Sequence, residues 1–135
     1  MKSRQARRQK FLNGVRHFNK HIFNRFMLLI AGRKGIPFTV LHHTGRRSGR
    51  SYRTPVLATY VEEAIIIPLT YGEHVDWLRN ILTHGACRLM WQGEMIPAHQ
   101  PTVLEAEAGL ATLPEKRREQ FTRFRIEKFL RLIRR

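Results

Sequence analysis

The sequence predicts a mainly β fold with flanking helices (α+β), built around a small antiparallel sheet or barrel. Short β-branched segments follow one another along the middle of the chain. They lack the regular crossover helices that a doubly wound α/β fold needs. Toward both ends the apolar residues recur at three- and four-residue spacing instead, which is typical of helices that pack one face on a core.

The N-terminal segment, residues 1–35, is predicted to be a basic amphipathic helix that ends at Gly32 and Gly35, with Pro37 just beyond. Two interpretations stay open: its apolar stripe packs on the domain, or it lies on an anionic membrane surface. The stripe consists of Phe11, Val15, Phe18, Ile22, Phe23 and Phe26.

The central segment, residues 36–102, is predicted to form the barrel core. Alternation and turn residues indicate strands at residues 38–43, 53–60, 64–69, 87–92 and 94–100, the last two joined by a tight hairpin at Gly93. A helix is inserted near residues 75–84, with Val75, Leu78 and Leu82 on one face, and closes at Gly85.

The remaining residues, 103–135, are predicted to be a basic helical region packed on the barrel, with a break at Pro114. Near the C-terminus, Ile126, Phe129, Leu130 and Ile133 have i, i+3, i+4, i+7 spacing with arginines between them. All three segments belong to one domain, because the chain has only 135 residues.

Composition narrows the class of protein further. With 42% hydrophobic residues, the chain has enough apolar material for a core of its own. A single cysteine, Cys87, excludes disulfide scaffolds, zinc ribbons and dithiol centres, and its strand context predicts a small core residue. The apolar run at residues 26–32 is too short to span a bilayer, and no cleavage site follows it, so we expect a cytoplasmic protein.

The net charge of +15 is unevenly distributed along the chain. Residues 1–61 hold 14 Lys and Arg without one acidic residue, whereas residues 62–114 hold seven acidic and two basic residues. This distribution predicts a polyanionic partner: a nucleic acid, an anionic membrane surface or a phosphorylated small molecule.

The segment between the first two predicted strands has the composition of an anion-binding turn. Glycines let the backbone approach an anion, hydroxyls donate hydrogen bonds, and guanidinium groups bind phosphate or carboxylate. The segment fits neither a Walker A loop, nor a G-x-G-x-x-G motif, nor a G-x-S-x-G motif. A solvated basic turn and a nucleic-acid contact remain alternatives to a phosphate site. Its residues are Thr44, Gly45, Arg46, Arg47, Ser48, Gly49, Arg50, Ser51 and Arg53.

A second segment, residues 71–80, turns at Gly72 and opens the predicted helix, with Asp76 in the first turn. It is either an ordinary helix start whose Trp77 fills the core, or the other wall of a ligand pocket. No metal site is expected, because His42 and His43 are adjacent on a strand and no H-E-x-x-H motif is present.

Together, LHHTGRRSGRSYRTPVL and PLTYGEHVDWLRNIL resemble the deazaflavin-dependent nitroreductase family, also described as F-420-dependent quinone reductases, within the flavin/deazaflavin oxidoreductases. The resemblance covers residues 36–98. It implies a split β-barrel of the FMN-binding type and an enzyme that transfers a hydride from reduced coenzyme F-420 to a quinone-like or other conjugated acceptor. FMN is the alternative cofactor, but the tail of a deazaflavin needs more positive charge than one phosphate does.

The resemblance also implies site residues. Arg46, Arg47, Ser48, Gly49 and Arg50 bind the phosphate and polyglutamate tail of the cofactor, and Thr54, Pro55 and Val56 border its ring. Tyr71, Gly72, Asp76, Trp77 and Asn80 lie in the strand-to-helix segment beside the cofactor. Tyr71 or His74 supplies the proton, with solvent as the alternative.

This chain departs from the family pattern in one helix. Many members have His-Pro-x-Trp-Tyr-x-Asn-Leu where this sequence has His74-Val75-Asp76-Trp77-Leu78-Arg79-Asn80-Ile81. The substrate-facing tyrosines that some members carry near the C-terminus have no counterpart after Tyr71.

Alternatives from other classes remain. A non-catalytic split barrel could carry a cofactor or a lipophilic anion. Nucleic-acid binding is disfavoured, because no helix-turn-helix, zinc finger or RNP-like motif accompanies the charge. Related barrels often dimerise, which leaves a homodimer open.

Overall fold

Antiparallel strands form one sheet in the computed structural model, which describes residues 38–135. The predictions for residues 1–35 lie outside the described residues. The strands are β1 (Phe38–Thr44), β2 (Ser51–Leu57), β3 (Thr59–Val61), β4 (Ala64–Pro68), β5 (Ala86–Trp91), β6 (Glu94–Glu105) and β7 (Lys128–Arg134). The helices within this range are α1 (Asp76–His84), α2 (Ala106–Thr112) and α3 (Glu115–Arg123).

The sheet curls so that its two edges approach each other. Its order is β2-β1-β5-β6-β7-β4-β3, and every neighbouring pair is antiparallel. The edge strands β2 and β3 are separated along the chain only by the buried Ala58. A flat seven-stranded sheet would hold its edges tens of ångströms apart, since strands are about 4.8 Å apart. The predicted small antiparallel barrel is therefore confirmed as a curled half-barrel.

The main core lies inside the curl. Leu41, Leu89 and Leu130 are fully buried there, and α1 adds Leu78 and Ile81 from its apolar face. This packing places the start of α1 against the β1 end of the sheet, where the turn between β1 and β2 also lies. Cys87 belongs to this core, as predicted, and burial raises the pKa of its thiol to about 12.

A second, smaller core covers the outer face of β4 and β7. Phe121 of α3 and Phe129 of β7 pack there against Ile66, with ring centroids of the two phenylalanines 5.8 Å apart. Strands β4 and β7 are thus buried on both faces, which explains the uninterrupted apolar run around Ile66.

The C-terminal prediction is correct for two helices and wrong for the last segment. Helices α2 and α3 flank a break at Pro114, but residues 128–134 form the strand β7 between β6 and β4. A strand that buries both faces has apolar residues at spacings that also fit a helix, so periodicity could not distinguish the two. Strand β6 also extends past residue 100 to Glu105, with an irregular register between His99 and Thr102.

The other predicted strands and the inserted helix are confirmed to within two residues at most bounds, although the predicted strand 53–60 is divided at Ala58 into β2 and β3. Across residues 38–135, no helix has the length and apolar character that crossing a membrane requires.

Candidate functional site

The turn between β1 and β2 is closed by its own hydrogen bonds. The backbone N–H of Gly45 donates to the carbonyl oxygen of Arg50 at 2.8 Å, and that of Gly49 donates to Gly45 at 3.0 Å. Gly49 has a φ of +71°, which favours glycine. A Cβ on Gly45 would lie 2.5 Å from Oγ of Ser48, so no larger residue fits this position without rearrangement.

Arg46 fastens this turn to helix α1. Its backbone N–H and its Nη1 both donate to Oδ1 of Asn80, at 3.0 and 2.9 Å. Its Nη2 also pairs with the carboxylate of Asp76 at 3.3 Å, although the Asp76 side chain is largely exposed and this pair adds little stability. The buried Asn80 therefore determines where the turn sits.

His43 links Asn80 to strand β2. Nδ2 of Asn80 lies 3.1 Å from Nδ1 of His43, and Nε2 of His43 lies 3.0 Å from Oγ1 of Thr54. The imidazole also stacks on Tyr52, with ring centroids 5.7 Å apart. Burial, reinforced by His42, lowers the pKa of His43 to about 4 against a raising effect of Asp76, so the ring is neutral near pH 7.

These groups border a cavity of about 400 Å³ between the turn, β2 and the start of α1. Most of the predicted cofactor-binding residues meet here, although they come from three separate elements. The predicted residues that line the cavity are Arg46, Arg47, Ser48, Thr54, Asp76, Trp77 and Asn80.

The cavity is electropositive. Asp76 is the acidic residue among those that line it, and its carboxylate is already paired with Arg46. Arg47 lines the cavity without an ion pair to any residue in the range 38–135, and Arg53 likewise has none there, although its side chain lies on the opposite face of β2 beside His42. Residues 1–37 contain no Asp or Glu, so they offer no side-chain carboxylate to these guanidinium groups.

Other predicted site residues lie apart from the cavity. Gly49 and Arg50 close the turn without lining the cavity. Pro55 and Val56 continue β2 as buried residues. Their contact with a cofactor stays a prediction.

The candidate proton donors, Tyr71 and His74, also lie outside this cavity. Tyr71 and Gly72 line a separate depression of about 400 Å³ beside Phe124 and Lys128. His74 lines neither, and its Nδ1 accepts a hydrogen bond from Nη2 of Arg79 at 3.2 Å. Their catalytic roles stay predictions.

The sequence analysis missed His43 and Tyr52 as cavity residues. A usable signal was present: if residues 44–51 form a hairpin, the register pairs His43 with Tyr52, and strand alternation puts Thr54 on the same face. His42 then points to the opposite face, between its register partners Arg53 and Arg88. Among residues 38–135, no cluster of His, Cys, Asp or Glu could hold a metal ion.

The curled half-barrel thus holds an electropositive cavity beside its arginine-rich turn, and the comparison with protein families supplies the class of protein. The model of the F-420H2-dependent quinone reductase family matches residues 13–124, which is most of the chain. The chain therefore belongs to this family and is an F-420-dependent oxidoreductase that uses coenzyme F-420 as its cofactor. The resemblance stated from the two motifs is confirmed.

Two solved structures are similar to this chain at low sequence identity. A chain described as a domain-swapped dimer has a TM-score of 0.53 and 13% identity, over 90% of this chain and 98% of that chain. A solved F-420H2-dependent reductase has a TM-score of 0.45 and 13% identity, over 71% of this chain and 93% of that chain. No curated protein sequence matches the chain.

Proposed function

We propose that this chain binds the reduced cofactor in the cavity between the arginine-rich turn and α1, and reduces a quinone-like acceptor beside it. The observation that carries the proposal is the attachment of the turn to Asn80, because it holds Arg47 beside one electropositive cavity. The family assignment supplies the reaction class, and the charge and lining of the cavity support the proposed location.

The residues present fit an anionic cofactor with a flat ring. Arg47 is available for phosphate and carboxylate oxygens, which guanidinium groups bind through paired hydrogen bonds. Trp77 and Thr54 offer an aromatic face and a hydroxyl to a heteroaromatic ring. A cofactor with a polyanionic tail uses this surplus of positive charge better than FMN, whose only anionic group is one phosphate.

The bound cofactor supplies the hydride that passes to a conjugated acceptor. The protein positions the cofactor and the acceptor. Arg46 and Asn80 hold the turn in place, Arg47 binds the anionic groups, and Trp77 excludes water from one side of the cavity.

The accompanying proton is assigned to Tyr71, His74 or solvent. With the cofactor in the proposed cavity, Tyr71 and His74 act from outside its lining, since neither borders it. Tyr71→Phe and His74→Gln variants test this assignment. A lower turnover at unchanged cofactor affinity supports a role for the altered residue, and unchanged turnover in both variants leaves solvent as the donor.

Titration with oxidised F-420 and, separately, FMN tests the proposed site, with ligand fluorescence followed at about 50 and 300 mM salt. We expect micromolar or tighter F-420 binding that exceeds FMN binding and weakens with salt. Arg47→Ala should weaken it, whereas Arg123→Ala on the exposed face of α3 serves as the matched control. Equal affinity in Arg47→Ala and wild type would remove the turn from the binding site.

We also propose that residues 1–35 bring the protein to an anionic membrane surface, where lipophilic quinones reside. Ten Lys and Arg and no acidic residue within residues 1–37 support this proposal. A homodimer is proposed as well, supported by the description of the similar solved chain as a domain-swapped dimer. Sedimentation equilibrium tests the dimer: a monomer mass at micromolar concentration would exclude it.

A further inference from the structure

The orientation of the Asn80 amide follows from its neighbours. Its Oδ1 receives two hydrogen bonds from Arg46, one from the backbone N–H and one from Nη1. Both of these groups can only donate, so the amide oxygen must face them. The amide nitrogen therefore faces Nδ1 of His43, at 3.1 Å. No other orientation of this amide satisfies these three neighbouring groups together.

This orientation determines the tautomer of His43. An amide –NH₂ group only donates, so Nδ1 of His43 must accept and carries no hydrogen. The neutral ring then has its hydrogen on Nε2, which lies 3.0 Å from Oγ1 of Thr54. That oxygen accepts the hydrogen bond from His43, and the hydroxyl hydrogen of Thr54 points elsewhere.

We propose that His43 is a positioning residue whose Nε2–H tautomer holds the Thr54 hydroxyl as a hydrogen-bond donor toward the cavity. The Thr54 hydroxyl would donate to an unprotonated ring nitrogen or a carbonyl oxygen of a heteroaromatic ligand. The identity of that ligand as the deazaflavin cofactor rests on the proposed function, whereas the tautomer does not.

Burial makes the arrangement rigid. Asn80 is 4% exposed and His43 is 7% exposed, so water does not replace the hydrogen bonds between them. Thr54 is half-buried and lines the cavity, so its hydroxyl lies between the buried network and the space a ligand would enter.

The tautomer is tested first, without ligand, by nitrogen-15 NMR of the His43 imidazole at pH 7. We expect an unprotonated Nδ1 and a protonated Nε2. Asn80→Asp should reverse or abolish this pattern, because a carboxylate can only accept a hydrogen bond and therefore favours a protonated Nδ1. A protonated Nδ1 in the wild type would overturn the proposal.

Binding variants test the recognition step. Thr54→Val should weaken F-420 binding by about 2- to 10-fold, the range expected for one neutral hydrogen bond, and Thr54→Ser should retain affinity. His43→Asn keeps an acceptor near Asn80 and removes the donor to Thr54, so it should match Thr54→Val. His42→Gln, on the opposite face of β1, is the matched control.

The double variant His43→Asn/Thr54→Val separates positioning from general loss of structure. If His43 acts through Thr54, the double variant binds no more weakly than Thr54→Val alone. Additive losses would overturn the proposal. If the wild type binds F-420 and Thr54→Val binds it with the same affinity, the proposed role of Thr54 is overturned while the proposed function stands. Absence of F-420 binding in the wild type would overturn the proposed function and the recognition step together.

Discussion

Arg46 and Asn80 are 34 residues apart in the chain, and two N–H groups of Arg46 donate to the single Oδ1 atom of Asn80. One of these donors is the backbone, so the contact fixes the path of the turn as well as the side chain. Arg46 therefore has a structural role, whereas its neighbour Arg47 is exposed and lines the cavity.

The two adjacent arginines should respond differently to replacement. Arg46→Ala should destabilise the protein by about 1–3 kcal/mol, because it leaves the buried Asn80 oxygen with fewer donors. Arg47→Ala should leave stability within about 0.5 kcal/mol and weaken F-420 binding by about 1.5–3 kcal/mol. Urea unfolding and fluorescence titration measure the two effects.

The Arg46→Lys variant serves as a control for charge. Lysine keeps the backbone donor and the positive charge but lacks the planar guanidinium, so it should retain part of the stability. If Arg46→Ala and Arg47→Ala lost stability equally, Asn80 would not be the anchor of the turn.

The free energy of unfolding should decrease as the pH is lowered below about 6.5, where His43 takes up a proton in the unfolded chain. Burial, then His42, lowers the pKa of His43 from 6.5 to about 4, and Asp76 opposes the shift. Between these values the unfolded chain binds more protons than the folded one. The stabilising contribution is present above pH 6.5 and declines toward pH 4, by up to about 3 kcal/mol.

Urea unfolding between pH 5 and 7 measures this dependence. His43→Gln should flatten the slope without removing it, because burial and the charges of Arg88 and Arg53 also lower the pKa of His42. An identical slope in wild type and variant would show that His43 is not the titrating group.

Gly109 should not tolerate alanine, although it lies within helix α2. A glycine-to-alanine change in a helix normally stabilises by about 1 kcal/mol. Here the added Cβ would overlap the ring of Phe129, which is fully buried. We expect a net loss of about 1–3 kcal/mol in the free energy of unfolding.

A second-site change supplies the control for Gly109. Phe129→Leu makes room for the Cβ, so Gly109→Ala should cost less in that background than in the wild type. A stabilising Gly109→Ala in the wild type would place α2 farther from β7 than the structure does.

Removal of residues 1–14 should reduce membrane binding and leave cofactor affinity unchanged. These residues carry five Lys and Arg, which would contribute attraction to anionic lipid. Sedimentation with anionic liposomes measures the loss, and zwitterionic liposomes control for non-electrostatic binding. A full-length variant with the five residues changed to Gln separates charge from length. Equal loss of cofactor and liposome binding would assign the segment a structural role.

Sequence patterns predicted the element order from β1 to β6 and the inserted helix, apart from the division of one strand at Ala58 into β2 and β3, because strand alternation and turn residues are local properties. They also predicted the anion-binding turn, since its glycines and arginines are consecutive. The same local reasoning failed at β7, whose spacing fits a helix and a strand alike. This segment is a strand because it pairs with both β6 and β4, which satisfies its backbone hydrogen bonds.

By itself, the sequence determined the family, the charge of the turn and the absence of any acidic residue before Glu62. Only the tertiary structure decided that His43, Thr54 and Asn80 form one hydrogen-bonded set and that Tyr71 lies apart from it. His43 and Asn80 are 37 residues apart. They meet because the apolar face of α1 packs into the curled sheet, and burial of Leu78 and Ile81 places Asn80 beneath the turn.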